Sequence, residues 1–208
     1  MGSRAKSAKA SVSTETSRET WFAEYQDFDR TDGKQIIAPA GFQQLCETIG
    51  YDIESMEPLV LQWKLGGGEF GTIEWSQWDR TLREMNVANI NELKSVIDAA
   101  VQEFDNNAIL FRDFYRNVFD IIRPPKHKSV PAETVKGVMP VVTRQQWLFM
   151  RFVAFLDARG DTLPSINRDQ WQSLLELSKT VDKDFSNYSK EDAWPILFDE
   201  FYDWARQP

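Results

Sequence analysis

The sequence predicts an all-α chain of two EF-hand-like helical lobes packed into one compact unit, and three observations carry that prediction. Apolar residues recur at helical spacing nearly throughout: Phe42, Leu45, Cys46 and Ile49 form one stripe, Trp171, Leu174, Leu175 and Ser178 a second, and Trp194, Leu197, Phe198, Phe201 and Trp204 a third. Breakers fall between such runs at Gly66-Gly67-Gly68, Pro124-Pro125, Gly160 and Pro164, which leaves about ten helices and strands of only two or three residues. The third observation is an internal repeat. Four segments place an apolar residue five positions after a β-branched one: Ile37-Ala-Pro-Ala-Gly-Phe42, Ile73-Glu-Trp-Ser-Gln-Trp78, Val130-Pro-Ala-Glu-Thr-Val135 and Ile166-Asn-Arg-Asp-Gln-Trp171. In an EF-hand the β-branched residue is the loop's eighth, pairs with its sister loop, and the exiting helix begins about five positions later.

The domain plan follows from that repeat. Residues 1–19 are expected to be a disordered tail, small, polar and weakly basic. Residues 20–105 form an N-terminal lobe and 106–208 a C-terminal lobe, with Asn91 to Glu103 as a connecting helix and Ser189 to Trp204 as the closing segment. Pro195 suits the first turn of the last helix, where its missing N–H costs nothing. Trp147 to Leu156 is apolar but short and carries Arg151, so it reads as a buried core helix rather than a membrane span. The start has no apolar signal-peptide core, and Met1-Gly2-Ser3 is a weak myristoylation match.

Composition narrows the function classes. Fourteen Phe, eight Trp and five Tyr supply ample core material. The net charge is −8, and four cations against two anions fall in the first 20 residues, so the remainder carries about −10. Such a body is a poor partner for nucleic acid, whose binding rests on Lys and Arg neutralising phosphates, and it favours a basic protein surface. The single cysteine, Cys46, rules out an internal disulfide and suits a reducing compartment, cytoplasmic or nuclear.

Calcium chemistry is missing from the repeat. Calcium loops need Asp or Asn at positions one, three and five and a bidentate Glu at twelve. With the β-branched residues at position eight, position twelve falls on Gly41, Gln77, Thr134 and Gln170. The first loop offers Arg30, Asp32 and Lys34, the second Gly66, Gly68 and Phe70, and Asp27-Phe-Asp29-Arg-Thr-Asp32-Gly33 has its glycine out of register. No metal or other cofactor is expected.

Catalytic groups are equally scarce. The lone His127 lies in a polar Pro124-Pro-Lys-His-Lys-Ser loop and cannot build a histidine-rich metal site. Gly66-Gly67-Gly68 lacks the Gly-Lys-Ser/Thr of a phosphate loop. Cys46 lies on an apolar stripe beside Glu47, as a small buried hydrophobe rather than an activated thiol. Acids abound without any pair being singled out, so a paired-carboxylate hydrolase stays open on sequence grounds. A thiol enzyme using Cys46 and a calcium-independent EF-hand-like adaptor of another pathway are the rival readings.

Specific motifs point further. Phe111-Arg-Asp-Phe-Tyr115, Arg168-Asp-Gln-Trp171, Asp184-Phe-Ser-Asn-Tyr188 and Ala193-Trp-Pro-Ile-Leu-Phe-Asp-Glu-Phe201, with Gly41-Phe-Gln-Gln-Leu-Cys46 and Gln62-Trp-Lys64 upstream, resemble the DCN-like, or potentiating-neddylation, family over about residues 20–206. The resemblance implies two calcium-free EF-hand-like lobes and a non-catalytic scaffold. Such a scaffold holds a cullin's C-terminal winged-helix region, with its RING-box protein, and the N-terminally acetylated E2 that carries NEDD8 (Rub in some organisms). The cullin-facing patch implied by the match is Asp169, Ala193 and Asp199, and Asp199 and Asp203 lie one turn apart on the last helix. The implied pocket for the E2's acetylated methionine is lined by Met56, Leu59, Val60, Ile73, Trp78, Leu82, Val87, Ile90 and Leu93, with Ile121 and Val141 from the other lobe. No stretch before residue 20 resembles the ubiquitin-binding domain that some relatives carry.

Overall fold

A computed structural model describes residues 18–28 and 33–207. Of the expected disordered tail, residues 1–17 lie outside the described residues, as does the Asp29–Asp32 part of the acidic loop, while residues 18 and 19 are helical. The chain divides into two compact units between Phe111 and Arg112.

In the first unit a short helix α1 over residues 18–23 leads to β1 (Ile36–Ile37), α2 (Pro39–Ile49), α3 (Glu57–Lys64), β2 (Ile73–Glu74), α4 (Trp75–Glu84) and α5 (Ile90–Glu103). α6 (Ala108–Ile122) starts before the division and runs past it. The second unit continues with β3 (Ser129–Pro131), α7 (Ala132–Val142), α8 (Trp147–Arg159), a 3₁₀ turn (Gly160–Thr162), β4 (Ser165–Asn167), α9 (Arg168–Thr180) and α10 (Ile196–Ala205). Each unit has its own antiparallel two-strand ladder: Ile37 faces Ile73 in one, Val130 faces Ile166 in the other. All four repeat residues are thus paired with their sister loops.

The helices begin earlier than the calcium-loop spacing implies. α2, α4, α7 and α9 each start two residues after the paired β-branched residue, not five. The reason lies in how a helix entrance is fixed. The β-branched residue occupies the position just before the N-cap, and the apolar residue five later is the fourth helical residue, which is the spacing of a hydrophobic staple. Phe42, Trp78, Val135 and Trp171 are accordingly all buried, as are Ile37, Ile73, Val130 and Ile166. The repeat is a staple written four times.

Position twelve of each loop becomes the third helical residue, and for three of the four its identity is explained there; nothing in the structure explains Thr134. Gln170 and Asn167 form a reciprocal capping box, each side chain accepting from the other's backbone N–H at 2.9 Å. Gln77 accepts from the Glu74 N–H at 3.0 Å in the matching box of α4. Gly41 has no room for any side chain, because a Cβ there would sit 2.0 Å from the Tyr25 carbonyl oxygen. Three of the four residues standing where calcium's glutamate would be therefore cap helices or admit a crossing backbone.

α3 and α2 pack on α5, and the first core is built around Phe22, Phe42, Val60, Trp78, Leu82 and Ile97. Arg18 is only 6% exposed and donates to Asp79 at 2.8 Å, while its carbonyl accepts from the Trp78 indole. Folded structure thus reaches residue 18 at least. Buried Gln62 organises the glycine loop that follows α3, donating to the Gly67 and Thr72 carbonyls and accepting from the Gly71 N–H.

In the second unit α8 packs against α7, α9 and α10. Tyr115 and Trp171 stack at 4.7 Å and exchange hydrogen bonds with each other's backbone carbonyl, at 3.0 and 2.9 Å. α8 is the buried helix expected of its sequence; Leu148, Phe149, Phe152, Phe155 and Leu156 are inside, and Arg151 reaches the Ala205 carbonyl at the end of α10. Pro195 stands at the N-cap of α10, one residue before the position expected for it. No described helix is long and apolar enough to cross a membrane.

Replacing Gly41 with alanine is expected to destabilise the chain by about 3 kcal/mol, since backbone must move to admit one methyl group. A urea titration would read this as a lower midpoint at unchanged slope.

Candidate functional site

The segment between α9 and α10 is built residue by residue from the Asp184-Phe-Ser-Asn-Tyr188 motif. Asn187 clamps the end of α9: its amide donates to the Thr180 carbonyl at 2.7 Å and its oxygen accepts from the Asp182 N–H at 2.9 Å. The Asp184 carboxylate accepts from the Ser186 N–H at 3.0 Å, which holds its carboxyl below the usual range. Phe185 takes a left-handed conformation, φ 57°, that bulky residues rarely adopt. Its buried ring makes edge contacts with Trp147 and Phe201, 5.9 and 5.5 Å between centroids, and this packing is what holds the backbone there.

Tyr188 completes the motif. Its ring stacks on Tyr202 of α10 at 4.8 Å and its hydroxyl donates to the Asp199 carboxylate at 2.7 Å. Burial, then the bond to Asp199, pushes the phenol up from its ordinary value, so it stays neutral. Asp199 lies in the first turn of α10, half-buried, oriented by a donor that carries no charge. Asp203, one turn on, is different: Lys190 donates to both its oxygens, at 2.6 and 2.8 Å. The two acids that look equivalent on a helical wheel therefore present different charges to solvent.

The other two residues of the implied patch are exposed. Asp169 is the second residue of α9, just inside the Asn167–Gln170 capping box, where a carboxylate also complements the helix dipole. Ala193 is in the turn before Pro195. One residue of this surface escaped the sequence reading. Ile196, the first of α10, is 76% exposed and three positions before Asp199, so the two share a helical face. Its signal was its place outside the buried stripe of Leu197, Phe198 and Phe201.

The residues of the implied E2 pocket are distributed over both units. Met56 caps α3, Leu59 and Val60 lie on it, Ile73 is in β2, Trp78 and Leu82 are on α4, Val87 precedes α5, and Ile90 and Leu93 are on α5. All but Ile90, which is half-buried, are core residues of the first unit. Ile121 is buried on α6 and Val141 half-buried on α7, both in the second unit. An opening in the first unit is a cleft of about 470 Å³ at the turn from α4 into α5, lined by Met85, Val87, Asn91, Ser95 and Val96 among others. Of the implied lining only Val87 borders it.

Neither rival catalytic group acquires a setting for chemistry. Cys46 is fully buried, and burial, with Glu47 beside it, pushes its thiol up to about 12. His127 is exposed, its Nδ1 3.0 Å from the Pro125 carbonyl oxygen. Among the described residues no group of three His, Cys, Asp or Glu could hold a metal ion.

A family model described as cullin binding matches residues 92–204, a stretch that contains Asp169, Ala193 and Asp199. DCN1-like protein 4 of Homo sapiens is 32% identical over 187 residues, 89% of this chain and 61% of that protein. DCN1-like protein 5 of Rattus norvegicus is 32% identical over 187 residues, covering 89% and 76% of the two chains. DCN1-like protein 4 of Drosophila melanogaster is 28% identical over 191 residues, 91% and 76%. The chain thus spans between about three-fifths and three-quarters of these relatives.

A thiol reagent at neutral pH is expected to leave native Cys46 unmodified over hours and to label it at once in denaturant, as mass spectrometry would read.

Proposed function

Because the chain belongs to the cullin-binding, DCN1-like family, we propose that it is a non-catalytic scaffold, a co-E3, that promotes NEDD8 transfer to a cullin lysine. It binds the cullin's C-terminal winged-helix region through Asp169, Ala193 and Asp199. The observation that carries the proposal is Asp199: a carboxylate held by the neutral Tyr188 hydroxyl, with exposed Ile196 one turn before it and exposed Ala193 on the approach. A charge, an apolar side chain and a small residue side by side suit a basic, partly apolar partner surface. The small residue lets that surface come close, and the acids steer it.

The second half of the proposal is recruitment of the E2 through its acetylated N-terminal methionine. A charged amine is expensive to bury and an amide is not, so acetylation would decide entry into an apolar site. The cleft beside Val87 supports this reading by offering an opening near that residue in the first unit. With a RING-box protein in the same assembly, the rate gain comes from proximity and orientation, and needs no reacting side chain on this chain. A reducing compartment, cytoplasm or nucleus, suits the unpaired Cys46.

Asp199→Lys would break the Tyr188 bond as well as reverse a charge, so Asp199→Asn, which keeps an acceptor for Tyr188, is the better variant. It is expected to weaken binding to a cullin C-terminal fragment by about tenfold in calorimetry, with the circular dichroism spectrum unchanged. Wild-type affinity in that variant would remove Asp199 from the interface. For the E2 arm, N-terminal E2 peptides with acetylated and free amines are titrated into the chain. The acetylated form is expected to bind at least about tenfold more tightly; equal binding, or none, would discard the pocket and leave the cullin arm standing.

A further inference from the structure

Beside the candidate patch the second unit holds a cleft of about 230 Å³ that neither arm of the proposed function uses. Its walls include Leu177 and Val181 at the end of α9, then Tyr188, Asp192 and Trp194 from the segment leading into α10. Asp192 and Trp194 flank Ala193, so the cleft adjoins a residue of the proposed cullin surface.

Its polar groups are nearly all committed. Both ends of the Asn187 amide are used in clamping α9, the Thr180 hydroxyl is turned onto the carbonyls of its own helix, and the Tyr188 hydroxyl is given to Asp199. Besides the Trp194 indole N–H, Asp192 is the exception. Its carboxylate is exposed and makes no hydrogen bond or ion pair among the described residues, while its backbone is fixed by bonds of 3.3 Å to the Ser189 carbonyl and 2.8 Å from the Trp194 N–H. The lining also includes the two aromatic side chains Tyr188 and Trp194 and the aliphatic side chains Leu177 and Val181. The surrounding charge is predominantly negative: from Asp182 to Arg206 there are seven acids against three cations, and Lys190, one of the three, is engaged by Asp203.

We propose that this cleft receives one lysine or arginine side chain from the cullin, with Asp192 as its counterion and Tyr188 and Trp194 as its aromatic walls. The apolar stem of such a side chain lies against Leu177 and Val181 while its head meets the carboxylate and the ring faces. The space admits one long side chain and is too narrow for a helix. Asp192 would then be a specificity-determining residue in addition to Asp169, Ala193 and Asp199. The inference rests on the cullin-binding reading, and the test separates the two.

The same calorimetric titration with the cullin C-terminal fragment is run on Asp192→Asn, Asp192→Lys, Asp199→Asn and Ala193→Arg. Asp192 is exposed and supports no core contact, so its variants fold. Asp192→Asn is expected to weaken binding by about fivefold and to flatten its dependence on salt. Asp192→Lys should lose more, and changing one particular cullin lysine or arginine to glutamate should restore that loss. Wild-type affinity in Asp192→Asn, with Asp199→Asn and Ala193→Arg impaired, would overturn the cleft and leave the cullin-binding reading intact. A weakened Asp192→Asn beside unimpaired Asp199→Asn and Ala193→Arg would support the cleft and remove the Asp199 and Ala193 patch from the interface. Failure of every single cullin reversal to rescue Asp192→Lys would overturn the assignment of a cationic side chain.

Discussion

Two antiparallel contacts, Ile37 against Ile73 and Val130 against Ile166, set the geometry on which each unit is built. Each of these residues does three things at once. It pairs with its sister strand, it is buried, and it stands at the staple position that fixes how the next helix leaves the ladder. Full burial of one such side chain is worth roughly 2 kcal/mol, so a ladder of two or three residues, negligible as a sheet, becomes a joint between two helices. Apolar burial and helix capping are what order the paired loops.

That ordering explains what the sequence made legible. The pattern of Ile37, Ile73, Val130 and Ile166 with an apolar residue five later revealed the pairing, because pairing and stapling both constrain side-chain type at fixed spacing. Helix number and the closing stripe of Leu197, Phe198 and Phe201 were visible for the same reason. The start of each helix was not, since reading the spacing as a calcium loop delays it by three residues. Gln77, Gln170 and Gly41 looked only like absent ligands; their roles as caps and as a crossing point depend on backbone atoms that a one-dimensional pattern does not locate.

The site was legible in part, and the division follows from the kind of interaction. Asp169, Ala193 and Asp199 could be placed on their helices and turn, but two differences among neighbouring residues needed coordinates. Asp203 repeats Asp199 at helical spacing, and yet Lys190 engages one and Tyr188 the other. Ile196 continues an apolar run and yet points to solvent. The apolar residues implied for the E2 site were nearly all core, because hydrophobicity marks burial in either setting and says nothing about which wall opens.

The Asp184–Tyr188 motif shows how such a surface can be rigid without regular structure. Asn187 ties it to α9, Phe185 plugs it into the core at the cost of a left-handed backbone, and Tyr188 ties it to α10. A loop fixed at three points loses little further freedom when a partner docks, so less of the contact energy is spent on ordering. The choice of donor matters as much. Had a lysine stood where Tyr188 stands, Asp199 would be equally well oriented and largely neutralised, as Asp203 is by Lys190. A neutral phenol with its proton held by burial fixes the carboxylate's direction and leaves its charge available. Orientation and unspent charge on the same side chain are two properties that a binding surface needs together.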